Sequence, residues 1–143
     1  MKFTWLSDRA RGRTPGEIAA VGRYESEVVV ESKVRPGVRF RIARMSFARR
    51  MELMRRVRDL ARQAEFLSAG PDSAQKMDAA LLAGEIERIY VAWGVVGVQG
   101  LRVDGQAAGA EELIDAGPEA LFREALEAVR RETGLSEEER KNC

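Results

Sequence analysis

An α+β fold, predominantly α, follows from three observations on the 143-residue sequence. Apolar and charged residues alternate over residues 26–43, apolar residues recur at helical spacing over two long blocks between 47 and 93, and Gly, Pro, Asp and Ser stand at the block boundaries. Together they predict an N-terminal β-hairpin, a central antiparallel helical hairpin, a short second β-hairpin and a C-terminal helix. The length fits one domain, divided here into an irregular N-terminal segment (1–25), a compact unit (26–134) and a charged C-terminal tail (135–143).

Residues 7–16 carry Gly and Pro but no apolar period, so they read as a basic loop. From residue 26 the pattern changes. Val28, Val30, Val34, Val38, Phe40 and Ile42 fall on one side of two strands joined at Arg35-Pro36-Gly37, with Glu27, Glu31, Lys33, Arg39 and Arg41 on the other. Folding there brings Glu31 near Arg39 or Arg41, which partly neutralises the outer face.

Ser46 is placed to cap a helix from Phe47 to Ala69, with Gly70 as a left-handed terminator and Pro71 beyond it. Leu53, Val57, Leu60, Ala64 and Leu67 recur at intervals of four and three, and Phe47, Met51 and Met54 widen the apolar side, as for a helix with more than one neighbour. A second helix opens at Asp72 or Ser73 and runs from about Ala74 to Trp93. The short connection makes the pair antiparallel and puts it at the centre of the core, with Asp78, Glu85 and Glu87 available to arginines of the first helix.

The glycine-rich stretch 94–106 lacks the Gly-Lys-Ser/Thr ending of a phosphate-binding loop. Its Asp104-Gly105 instead predicts a two-residue hairpin turn. A short helix, Ala110 to Ala116, ends at Gly117. Pro118 then suits the first turn of a last helix reaching Thr133, with Gly134 as its stop. Ser136-Glu137-Glu138-Glu139 has the form of a capping box.

Composition narrows the chemistry. The chain has no histidine and one cysteine, Cys143, so it offers no internal disulfide, no Cys/His metal cluster and no triad with a histidine base. Adjacent carboxylates such as Glu111 and Glu112, or Glu85 and Glu87 two apart, diverge on a helix rather than converge on a substrate. The expectation is a non-enzymatic protein without cofactor or metal. No apolar stretch is long enough to span a bilayer, and a cytoplasmic protein is expected.

The net charge of +1 conceals a division, because residues 1–62 sum to +9 and residues 63–143 to −8. Such a split serves pairing within the fold, contact with a partner, or head-to-tail homo-oligomerisation. The candidate partner-binding residues are Arg49, Arg50, Met51, Met54, Arg55, Arg58 and Arg62 on the first helix and Glu137, Glu138 and Glu139 in the tail. Methionine adapts to varied apolar surfaces, and arginine makes bidentate contacts with carboxylates. A nucleic-acid module using the Arg-rich half is the alternative. The arginines form no single clean stripe, and a strand precedes the helix where a helix–turn–helix would need another helix.

Phe47-Ala48-Arg49-Arg50-Met51-Glu52-Leu53, Ile89-Tyr90-Val91-Ala92-Trp93-Gly94, Leu101-Arg102-Val103-Asp104-Gly105 and the ending from Leu135 to Asn142 resemble small proteins of phage and prophage tail-gene regions, of the tail assembly chaperone type. The resemblance spans about residues 38–142. It implies a role in the host-cell cytoplasm during virion assembly: binding a tape-measure protein, shielding its apolar helical surface, and assisting tail tube polymerisation. Residues 1–37 fall outside it and leave a virion or adaptor component as a further alternative.

Overall fold

The computed structural model describes residues 22–134, so the basic loop 7–16 and the 136–139 capping box lie outside the described residues. The elements are β1 (Glu27–Glu31), β2 (Arg39–Ala43), α1 (Phe47–Ser68), α2 (Ser73–Gly94), β3 (Val95–Gln99), β4 (Arg102–Val103), β5 (Gln106–Ala107), α3 (Ala110–Ala116) and α4 (Glu119–Thr133). This is the expected α+β order of hairpin, helical hairpin, small hairpin and closing helices. No described helix is long and apolar enough to cross a membrane.

β1 and β2 pair antiparallel, with Val28 opposite Ile42 and Val30 opposite Phe40. Val38, Phe40 and Ile42 are buried, and Val28 and Val30 pack against them. The outer face carries the anticipated pair of Arg39 with Glu31, at 3.2 Å, and a second pair of Arg41 with Glu27, at 2.8 Å. Val34, expected on the inner face, is 54% exposed because β1 ends at Glu31 and Val34 belongs to the connecting loop. That loop is held from α4: the Glu124 carboxylate accepts hydrogen bonds from the Ser32 hydroxyl and from the Lys33 N–H at 2.7 Å.

The glycine-rich stretch also contains a strand that the alternation does not reveal. β3 follows α2 without a connecting residue and pairs antiparallel with β2, completing a sheet of order β1-β2-β3. Between the pairs Arg41–Gly97 and Ile42–Val95 one residue, Val96, is extra, and this bulge interrupts the period-2 pattern. β4 and β5 form the expected small hairpin, and Asp104 and Gly105 both take positive φ, 52° and 81°.

The caps follow the sequence. The Ser46 hydroxyl accepts from the Arg49 N–H at 3.2 Å, and the Asp72 carboxylate accepts from the Ala74 N–H at 3.1 Å. Gly134 closes α4 in the left-handed conformation, at φ 74°. Gly70 is not left-handed; α1 ends instead on Ala69 in right-handed geometry, with the Ala69 N–H donating to the Glu65 carbonyl and the Gly70 N–H to the Leu67 carbonyl.

The core corrects one expectation outright. The helical hairpin is not its centre. The buried cluster joins Phe40 and Ile42 of β2, Val91 at the end of α2, Leu113 of α3 and Leu121, Ala125, Leu126, Ala128 and Val129 of α4. Of α1 only Leu53 is buried, and of the first two-thirds of α2 only Ala79. The two helices therefore pack chiefly on each other as a long arm, about 33 Å by helical rise, joined to the body at α2's C-terminal end.

The acidic residues of α2 also turn elsewhere than expected. Glu87 pairs with Arg123 at 2.7 Å and with Arg130 at 3.7 Å, both on α4. Among the described residues no ion pair joins α1 to α2, and neither Asp78 nor Glu85 reaches an α1 arginine. The Arg123 pKa lies above its ordinary value because of the hydrogen bond to Glu87, then the charge of Glu87 and, secondarily, Glu119.

Gly94 sets the closeness of α2 to α4. A β-carbon there would stand 2.6 Å from Val129 Cγ1, and Gly94 and Val129 are both buried. Gly94→Ala is expected to cost about 1–3 kcal/mol through overpacking, and Val129→Ala in the same chain to recover part of that cost. Urea unfolding of the two single variants and the double variant measures the coupling.

A candidate docking face on the outer side of the helical arm

Two rows of the same period interleave on α1. Leu53, Val57, Leu60, Ala64 and Leu67 form the inner row; Leu53 is buried and the others are partly covered. Phe47, Met51, Arg55, Arg58, Arg62 and Phe66 recur at steps of four, four, three, four and four, which places them on the side away from the inner row. All six are exposed, as is Met54 at the edge of this row. Phe47 is 82% and Phe66 76% exposed, and Met54 55%. Near the far end of the arm Arg62, Gln63, Phe66 and Leu67 line an open depression of about 410 Å³.

Five of the seven helical residues expected to bind a partner thus share one face: Met51, Met54, Arg55, Arg58 and Arg62. Arg49 and Arg50 do not join them. The Arg49 guanidinium donates to the Arg44 carbonyl at 3.5 Å, and that of Arg50 to the Thr133 carbonyl at 2.9 Å, so both brace the foot of the arm. Glu137, Glu138 and Glu139 lie outside the described residues. Phe47 and Phe66 complete the face but were not among the candidates. Phe47 reads as a core residue when the apolar side is drawn wide, and Phe66 is visible only as the residue four beyond Arg62. On α2, Met77 and Leu81 are exposed as well.

Among the described residues the charges along this face are only lightly engaged. Arg55 donates to the Met51 carbonyl at 3.4 Å, and Arg58 lies 3.5 Å from the neighbouring Asp59 in an exposed pair. Such pairs contribute about 0–1 kcal/mol and yield readily to a better acceptor. Large apolar side chains spaced among guanidinium groups suit a partner that brings both apolar and carboxylate groups.

A second concavity, about 370 Å³, lies where α2, α3 and α4 meet and is lined in part by Glu87, Arg88, Ile114, Phe122 and Arg123. Its Arg123 pairs with Glu87, and its Arg88 with the nearby Asp115 at 2.9 Å. Among the described residues no group of three or more His, Cys, Asp or Glu side chains is arranged to hold a metal ion. Comparison with protein-family models, with curated proteins and with solved structures finds no match to this chain.

The two rows should separate cleanly under substitution. Leu53→Ala is expected to cost about 2–5 kcal/mol, as for a buried leucine, whereas Met54→Glu on the outer row should stay within about 0.5 kcal/mol of the parent. Denaturant midpoints of the two variants, one residue apart in sequence, make the comparison.

Proposed function

We propose that this chain is a non-enzymatic assembly protein that acts by protein–protein contact and presents the outer face of α1 to an apolar, carboxylate-bearing segment of its partner. The observation carrying the proposal is the continuous row Phe47, Met51, Arg55, Arg58, Arg62, Phe66, with Met54 beside it, exposed along one side of a projecting arm. A folded protein gains nothing for its own stability by holding such side chains in water, and contiguous exposed apolar surface marks interaction sites.

The resemblance of residues 38–142 to tail assembly chaperones supports a tape-measure-type partner, whose long apolar helical surface needs shielding during assembly in the cytoplasm. Helix-in-groove or helix-on-helix contact, with anchors at steps of three and four, is the recognition mode that suits an arm of this kind. A phosphate-binding role has less support. Arg39 and Arg41 of β2 are paired with Glu31 and Glu27, and the arginines on the outer face of α1 are interleaved with methionine and phenylalanine rather than ranged along a groove.

Co-expression with a tape-measure protein from a phage tail-gene region, followed by light scattering of the purified mixture, tests the proposal. The parent chain is expected to hold the tape-measure protein in a defined soluble complex. The Met54→Glu, Arg58→Glu double variant should bind it at least about tenfold more weakly, the effect of removing two interface anchors. No complex with the parent chain, or equal binding by the variant, contradicts the proposal.

A further inference from the structure

Where α4 ends bears on what covers the α1 face. The Thr133 carbonyl is bonded to Arg50, and a β-carbon on Gly134 would stand 3.9 Å from the same guanidinium, so the chain leaves α4 at the foot of α1. From Arg50 the row Arg50, Met54, Arg58, Arg62 climbs the arm at four-residue steps, along the edge of the exposed face. The segment that follows Gly134 reads Leu135-Ser136-Glu137-Glu138-Glu139-Arg140-Lys141.

We propose that residues 135–143 dock in extended form on the outer face of their own α1, covering Met54 and placing Glu137 and Glu139, which share one side of an extended chain, against Arg55, Arg58 and Arg62. Charge order and reach both support this occupant. Going up the arm, the outer face of α1 presents Arg55, Arg58 and Arg62, with the exposed Asp59 beside Arg58, and then Glu65, while the segment presents three glutamates and then Arg140 and Lys141. Measured from the level of Arg50, helical rise puts Arg55 at about 8 Å, Arg58 at about 12 Å, Arg62 at about 18 Å and Glu65 at about 22 Å. An extended chain starting at Gly134 brings Glu137 to about 10 Å, Glu139 to about 17 Å and Lys141 to about 23 Å.

The arginines and Glu65 of α1 and the glutamates and Lys141 of the segment therefore fall at similar heights along the arm. A second copy of the same face is a poorer occupant, because an isologous contact would set Arg55, Arg58 and Arg62 against their own counterparts. Docking within the chain also benefits from a high effective concentration at the foot of the arm. A partner that uses this face must displace the segment, so the segment acts as a built-in competitor. Docking within the chain stands whether or not such a partner exists.

Cys143 is the single cysteine of the chain and accepts a nitroxide label without further substitution. In the full-length ¹⁵N-labelled chain, the oxidised label is expected to erase amide signals over Arg58 to Leu67 relative to the reduced label. Glu137→Lys, Glu138→Lys and Glu139→Lys together should restore them, and adding Arg55→Glu, Arg58→Glu and Arg62→Glu should bring the loss back. Signals that survive in the parent chain, or a loss indifferent to the charge reversal, overturn the proposal. So does a loss that appears when spin-labelled chain at natural isotope abundance is mixed with ¹⁵N-labelled Cys143→Ser chain, because the occupant is then another copy.

Discussion

Burial of α4 against β2 and the end of α2 is the contact on which the rest of the structure depends. Leu121, Ala125, Leu126, Ala128 and Val129 form a single stripe of this helix, and all are buried with Phe40, Ile42 and Val91. Small residues within that stripe, together with Gly94 opposite Val129, let the helices approach closely. The same helix holds the β1–β2 loop through Glu124 and the α1 foot through the Thr133 carbonyl. Sheet, loop and arm are thus referred to one helix.

That arrangement has a cost at the other end of the molecule. Because the core closes around α4, most of α1 and the first part of α2 have chiefly each other to pack against, and two helices cannot bury their full circumference in a single contact. The inner row of α1 takes the available shelter. Among the described residues the outer row is left without a neighbour, and with it the aromatic, methionine and arginine side chains of the proposed docking face. Exposure of these residues is a consequence of topology as much as of their own chemistry.

Much of the architecture is legible in the residues themselves, through signals that are local. Ser46 and Asp72 open their helices, Asp104-Gly105 turns the small hairpin, and Pro118 and Gly134 bracket α4, because caps and turns are satisfied by neighbours in sequence. Non-local features are harder to read. The strand Val95–Gln99 is obscured by Gly94, Gly97 and Gly100 and by the bulge at Val96. Glu87 could have met an arginine of α1 or of α4, and only the packing decides for Arg123 and Arg130. The centre of the core is likewise hidden, since the periodicity of α1 is strong whether its neighbour is a sheet or one helix. On the proposed docking face, spacing identifies Met51, Met54, Arg55, Arg58 and Arg62 but misplaces Phe47, because an outer apolar row with the same period as the inner one looks like a wider core side.

A body organised on α4 with an arm supported mainly by its own two helices is the central claim, and residue-resolved hydrogen exchange under native conditions tests it most directly. Amides of β2 and α4 should exchange only through global unfolding and follow denaturant closely. Amides between Val57 and Leu82 should exchange faster, through denaturant-insensitive openings that leave the body folded. Equal protection of that stretch and of α4 would contradict the account.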